Sequence, residues 1–142
     1  MAPAWAGRYV GIPFVSGGRG VSGCDCYGLV RMVLADQFGY ALPPLETDYN
    51  NALVIAETEP VLRAQMPLLA GERLETAEPG AVAVIRFRGL PSHVGVFVDD
   101  AYILHTLANI GAHIVRADAA ILRGGIEGVY RVDSRYRVTA SV

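Results

Sequence analysis

The stretch SGCDCYGLV, Ser22 to Val30, holds both cysteines of the chain, and three histidines follow at His93, His105 and His113. Thiols and imidazoles so placed could make a disulfide, a metal clip, or a nucleophile with its base. A bridge between Cys24 and Cys26 is disfavoured, because neighbours this close rarely reach the disulfide dihedral without strain. Cys24, Cys26, His93 and His105 are the right ligand types for zinc. Structural zinc, however, uses C-x₂₋₄-C pairs on knuckle turns, and a C-x-C entering a helix is poor geometry for it. No metal or other cofactor is expected. Cys24 reads as a small buried hydrophobe, the common condition of a free cysteine. Cys26 lies at a helix start, where backbone N–H groups and the positive end of the dipole favour a thiolate and predict a lowered thiol pKa. It is the candidate nucleophile.

The base should be a histidine on a rigid element. His93 opens the run HVGVFVD, where alternation puts His93, Gly95 and Phe97 on one face and Val94, Val96 and Val98 on the other. Gly95 leaves room beside His93 for a substrate or for close approach of the helix. His105, inside YILHTL, shares a face with Ile103 and Leu107. It is either a packed core histidine or the third member of a triad that orients His93. His113 follows the turn-like NIGA and reads as a surface residue.

Elements able to position these groups are visible. Between Asp25 and Phe38, Leu29, Val30, Val33, Leu34 and Phe38 recur at helical spacing; Gly39 supplies a stop, and Pro43-Pro44 forbids continuation. Upstream, GIPFVSGGRGVSG is a glycine-rich loop. Asn50 to Leu69 reads as one or two short helices broken at Pro60. After Pro79-Gly80 the period changes. AVAVIRF, HVGVFVD and AYILHTL are short β-branched or aromatic runs, split by RGLPS and DD, which predicts an antiparallel meander. HIVRA and GVYRVD add two further strands around a helical turn at Asp118 to Leu122. Helices first and strands after argue for an α+β domain.

Composition sets the outer bounds. A chain of 142 residues, 52% hydrophobic, is expected to form one domain, residues 1–142, with a core that needs neither disulfides nor metal. The net charge of −2, with no basic patch, argues against nucleic acid. No apolar run approaches the roughly 20 residues that cross a bilayer, so membrane insertion is not expected. The opening MAPAWAGRYVGIPF has no basic segment followed by an apolar one, which predicts synthesis in a bacterial cytoplasm without an export signal.

GIPFVSGG followed by DCYGLV, then PG before a strand, then HVGVF, then LH, resembles the NlpC-type cell-wall cysteine peptidases, a papain-like group. The resemblance runs from about Tyr9 to Val132. It implies the papain-like NlpC-type fold, with the catalytic cysteine at the N-terminus of a helix packed on an antiparallel sheet. It also implies a triad of Cys26, His93 and His105. The order Cys before His excludes circularly permuted relatives. A second cysteine just before the Asp, and a long helical insertion before PG, look most like tail-associated peptidases of bacteriophages and gene transfer agents. Three positions depart from the family pattern. Phe14 stands where Tyr is usual near the thiol, Ala81 where Pro79-Gly80 is usually followed by Asp, and Tyr27 where Ser usually follows the nucleophile.

What the resemblance implies is thiolate attack by Cys26 on an amide of a peptidoglycan stem peptide, at the bond between D-γ-glutamate and the diamino acid. His93 would act as base and then acid, and the Cys26 N–H at the helix start would face the oxyanion. Asp25, Tyr27 and Phe14 are the expected substrate-side residues; Asp25 either caps the helix or binds the stem peptide's free amine. The rival reading is a structural module of a tail tip with little or no turnover. Tail-tip or baseplate proteins are then the expected partners, since a particle component needs no export signal.

Overall fold

A computed structural model of the chain describes residues 2–44, 60, 66, 69–87, 90–122 and 125–138. The helices expected between Asn50 and Leu69 lie almost wholly outside these. After a 3₁₀ turn at Ala4–Arg8 comes a two-stranded hairpin of β1 (Arg19–Gly20) and β2 (Gly23–Cys24), followed by helix α1 (Cys26–Phe38). Six strands follow, β3 (Ala70–Arg73), β4 (Val82–Phe87), β5 (Leu90–Phe97), β6 (Tyr102–Leu107), β7 (Gly111–Arg116) and β8 (Ile126–Val132), with 3₁₀ turns at Ala120–Leu122 and Ser134–Tyr136. They form one antiparallel sheet in the order β3-β8-β4-β5-β6-β7. The fold is α+β, a helix packed on an antiparallel sheet, as the sequence leads one to expect.

Helix α1 begins and ends where its residues require. Asp25 has extended backbone and caps Gly28 N–H through its carboxylate, while Gly39 takes the left-handed conformation, φ 74°, that favours glycine. Leu29, Val30, Val33 and Leu34 are buried against Val82, Val84, Val94, Val96, Val98 and Leu104 of the sheet. Each such side chain contributes about 1.5–3 kcal/mol. The sheet's other face carries a second cluster of Ala81, Ala83, Ile85, Phe97, Ile103 and Leu122. Ala81, where the family pattern has Asp, is a packed member of it.

Two details differ from the expected meander. The stretch 88–92, read as a break, lies partly in β5, which starts at Leu90. Pro91 is tolerated there because the β4–β5 register shifts between Ile85 and Arg86, opposite that proline. The last strand, β8, does not extend the meander but inserts between β3 and β4. Each of β4 and β5 is thereby paired on both sides, and His93 is held in the sheet's interior.

Candidate active site

The glycine-rich loop and the helix start form one buried unit. Asp25 Oδ1 accepts from Gly28 N (2.9 Å) and from Arg19 Nη1 (2.8 Å), and Oδ2 accepts from Gly17 N (2.9 Å). The carboxylate is completely buried and Arg19 nearly so. A Cβ on Gly28 would run into the Gly18 carbonyl, so the loop can close on the helix only with glycine here. Of the two roles expected of Asp25, the structure shows capping; a substrate amine would have to displace Arg19. Arg19 was missed by the sequence reading. Its only sequence signal is a lone charge in a loop leading to a buried Asp.

Cys26 occupies the first helical position and is buried. The backbone N–H groups of Val94 and Tyr27 lie beside its sulfur and favour the thiolate. The Val94 amide belongs to the peptide that joins it to His93, so the thiol rests against the base's own backbone. The expected lowering of the thiol pKa is reversed. Burial, reinforced by the adjacent Asp25, pushes Cys26 up to about 12, outweighing the two amides and the Arg19 charge. Cys24 is fully buried, likewise pushed up by burial, to about 11, and both cysteines are free thiols.

The histidines form a row across β5, β6 and β7. His93 Nε2 lies 3.0 Å from His105 Nδ1, both rings buried. This contact engages His93 through Nε2. Gly95 makes this row possible in a way the sequence did not reveal. A Cβ there would come within 2.6 Å of Ile103 Cγ2 and 3.2 Å of His105 Cβ, so the missing side chain makes room for β6 rather than for a substrate or the helix. His105 is fully buried and also bonded to His93, which joins the two alternatives raised for it. His113, expected at the surface, is half-buried, with its ring centroid 4.4 Å from that of His105. The β6–β7 register pairs the two residues directly, which carries His113 into the row.

Tyr27, expected on the substrate side, packs inward. It is buried, donates its hydroxyl to the Pro43 carbonyl (2.6 Å) and lines an apolar cavity of about 10 Å³ with Val30, Leu42, Val82 and Val94. Phe14 is half-buried, and its backbone bridges Cys24. A groove of about 340 Å³ lies beside Gln37, Phe38, Tyr40 and Arg131, at the other end of α1 from Cys26, and contains none of the candidate residues.

Fold and site together define a papain-like cysteine hydrolase. The NlpC/P60 family model matches residues 11–121, and the chain belongs to the NlpC/P60 family. Among solved structures it is similar to the NlpC/P60 domain of the peptidoglycan hydrolase SagA, at 18% identity and TM-score 0.59, with 90% of this chain and 93% of that one covered. It is similar to an NlpC/P60 family protein of Bacillus cereus ATCC 10987, at 17% identity and TM-score 0.62, covering 94% of this chain and 41% of that one. A lipoprotein-like NLP/P60 protein of Staphylococcus aureus subsp. aureus Mu50 matches at 22% identity and TM-score 0.58, covering 89% of this chain and 38% of that one. The chain thus spans under half the length of the last two. No curated protein matches it.

Two expected results follow from the histidines. If His105 orients His93, His105→Ala should lower turnover about 100-fold or more, while His105→Asn or Gln retains part of the activity. Equal rates in wild type and His105→Ala would refute the triad. Burial also holds His93 down at about 3 and His105 at about 4, below the ordinary 6.5. An unfolded chain takes up these protons below about pH 6.5 and the folded one does not. Native stability is therefore full above that pH and falls as pH drops towards 4. Urea midpoints at pH 7 and 4.5 should show the loss, and His105→Gln should show a smaller one. A midpoint as high at pH 4.5 as at 7 would contradict this account.

Proposed function

We propose that the protein is a cysteine endopeptidase that hydrolyses amide bonds in peptidoglycan stem peptides, at the bond between D-γ-glutamate and the diamino acid. The observation that carries this reading is the 3.0 Å contact of His93 Nε2 with His105 Nδ1, beside a helix-start thiol seated on the His93–Val94 peptide. The name of SagA, a peptidoglycan hydrolase, supports the substrate class.

Because burial favours the neutral thiol and the neutral imidazole, the reaction starts without a standing ion pair. As the acyl carbon approaches, the thiol proton passes to His93 Nδ1 while sulfur bonds to carbon. The imidazolium so formed keeps its Nε2–H on His105 Nδ1. The Cys26 N–H at the helix start, which has no intrahelical acceptor, would face the oxyanion. His93 then returns the proton to the leaving amine. Water attacks the thioester with His93 as base and frees the acid product.

The setting we propose is the tail tip or baseplate of a phage-like particle, where the enzyme acts on the wall during DNA entry. Cys24 before the Asp25-Cys26 pair and the proline-interrupted insertion between Asn50 and Leu69 support it. A non-catalytic tail module of the same fold is favoured by the raised thiol pKa and by Phe14 in place of Tyr. Digestion of purified sacculi, with released muropeptides weighed by mass spectrometry, separates the two. Cleavage at the D-γ-glutamyl bond is expected, and intact sacculi would favour the structural module. Proteomics of purified particles tests the setting; a protein found only in soluble lysate, never in particles, does not belong to a tail.

A further inference from the structure

His113 stands outside the triad, yet its surroundings tie it to the other two histidines. Its Nδ1 lies 2.8 Å from the Gly111 carbonyl. That oxygen can only accept, so Nδ1 carries the proton and the neutral ring presents a lone pair at Nε2. This Nε2 is buried and has no hydrogen-bond partner among the described residues, and the same is true of His105 Nε2. The two rings lie 4.4 Å apart at 52°, on residues paired across β6 and β7.

The His93–His105 contact admits two polarities. In one, His105 Nδ1–H donates to His93 Nε2. His93 then carries its proton on Nδ1 and cannot accept from a thiol, and His105 Nε2 becomes a second lone pair beside that of His113. In the other, His93 Nε2–H donates to His105 Nδ1. His93 Nδ1 is then a base, and His105 Nε2–H is a buried donor next to a buried acceptor. Only the second leaves the two orphaned nitrogens complementary, either through one bridging water or after a small ring rotation.

We infer that His113 is a positioning residue, which sets the His105 tautomer and through it keeps His93 in the form that can accept the Cys26 proton. The order of control is Gly111 carbonyl, His113, His105, His93. The proton that His93 takes from the thiol goes on to the leaving amine and none passes to His105 or His113; His113 biases where the resting protons sit. This inference rests on the reading of Cys26 and His93 as nucleophile and base, and its test includes a measurement that does not need turnover.

The test compares His113→Leu, which removes the Nε2 acceptor, with His113→Gln, which offers an amide oxygen in its place. Histidine ¹⁵N NMR on the Cys26→Ala background reads the tautomers in a protein that does not hydrolyse. The expected result is a His105 ring protonated at Nε2 in the parent and in His113→Gln. In His113→Leu, that ring becomes a mixture or reverses. With Cys26 present, His113→Leu should lower kcat about 10-fold with KM unchanged, and His113→Gln should recover most of it. An unchanged His105 tautomer in His113→Leu overturns the inference, as does an unchanged kcat. If sacculi resist the wild type as well, the hydrolase reading fails by itself, and the NMR comparison still decides the tautomer question.

Discussion

Cys26→Ala should abolish hydrolysis, by roughly 10,000-fold or more, while leaving the fold in place. Removing a nucleophile removes the covalent route, and what survives is the modest catalysis of binding and oxyanion contacts. The helix should tolerate the change, since alanine is the best helix former and Asp25, not the thiol, caps it. Circular dichroism and a melting curve check the fold, and muropeptide release checks the chemistry. Iodoacetamide should label Cys26 ahead of Cys24, because Cys26 is 9% exposed and Cys24 not at all. With the thiol pushed up to about 12, labelling should be slow at neutral pH and still climb beyond pH 9. Preferential labelling of Cys24 would remove Cys26 from the mechanism. A rate already flat at pH 7 would point instead to a preformed thiolate.

The second large effect is on stability. Asp25→Ala should cost about 3–5 kcal/mol, the range for breaking a buried ion pair by deleting one partner. The carboxylate receives Gly28 N, Gly17 N and Arg19 Nη1, and its loss takes the acceptor from both backbone donors and the counter-charge from the nearly buried Arg19. Asp25→Asn keeps an oxygen for the helix N–H and should lose less. Adding Arg19→Met to Asp25→Asn should restore part of the deficit, because the cation that lost its counter-charge is then gone. Urea unfolding of the single and double variants measures this. An Asp25→Ala protein within 1 kcal/mol of wild type would mean that the pair holds nothing together. A raised KM at unchanged stability would instead return Asp25 to the substrate-amine role.

Much of the site was legible because it is local. The helix from Asp25 to Phe38, its cap and its glycine stop depend on neighbours within a few residues, and periodicity reports these directly. Cys26 stood out for the same reason, since its place at a helix start follows from the residues around it. His93 and His105 fell on strands whose β-branched runs announce themselves. Cys24 was correctly read as buried.

What went astray depended on partners distant in sequence. The thiol pKa was read from the helix dipole, a local term, whereas the sheet that buries Cys26 reverses its sign. Tyr27 was assigned to a substrate, and Gly95 to a substrate or to close approach of the helix, because nothing local reveals what faces them. One proves to contact Pro43 and the sheet, the other Ile103 and His105. The insertion of β8 between β3 and β4 could not be read from strand order, because register and pairing are set by which faces must be buried.

The sequence by itself determined the class of fold and placed the candidate thiol at a helix start and the candidate imidazoles on strands, since periodicity, capping and motif spacing are short-range properties. Tertiary structure alone decided that Asp25 is sealed by Arg19, that burial pushes the Cys26 thiol up, and that His113 joins the row of histidines. Burial and cross-strand register bring together residues with no signal to one another along the chain, and desolvation, which grows with everything packed around a group, then sets the charge each carries.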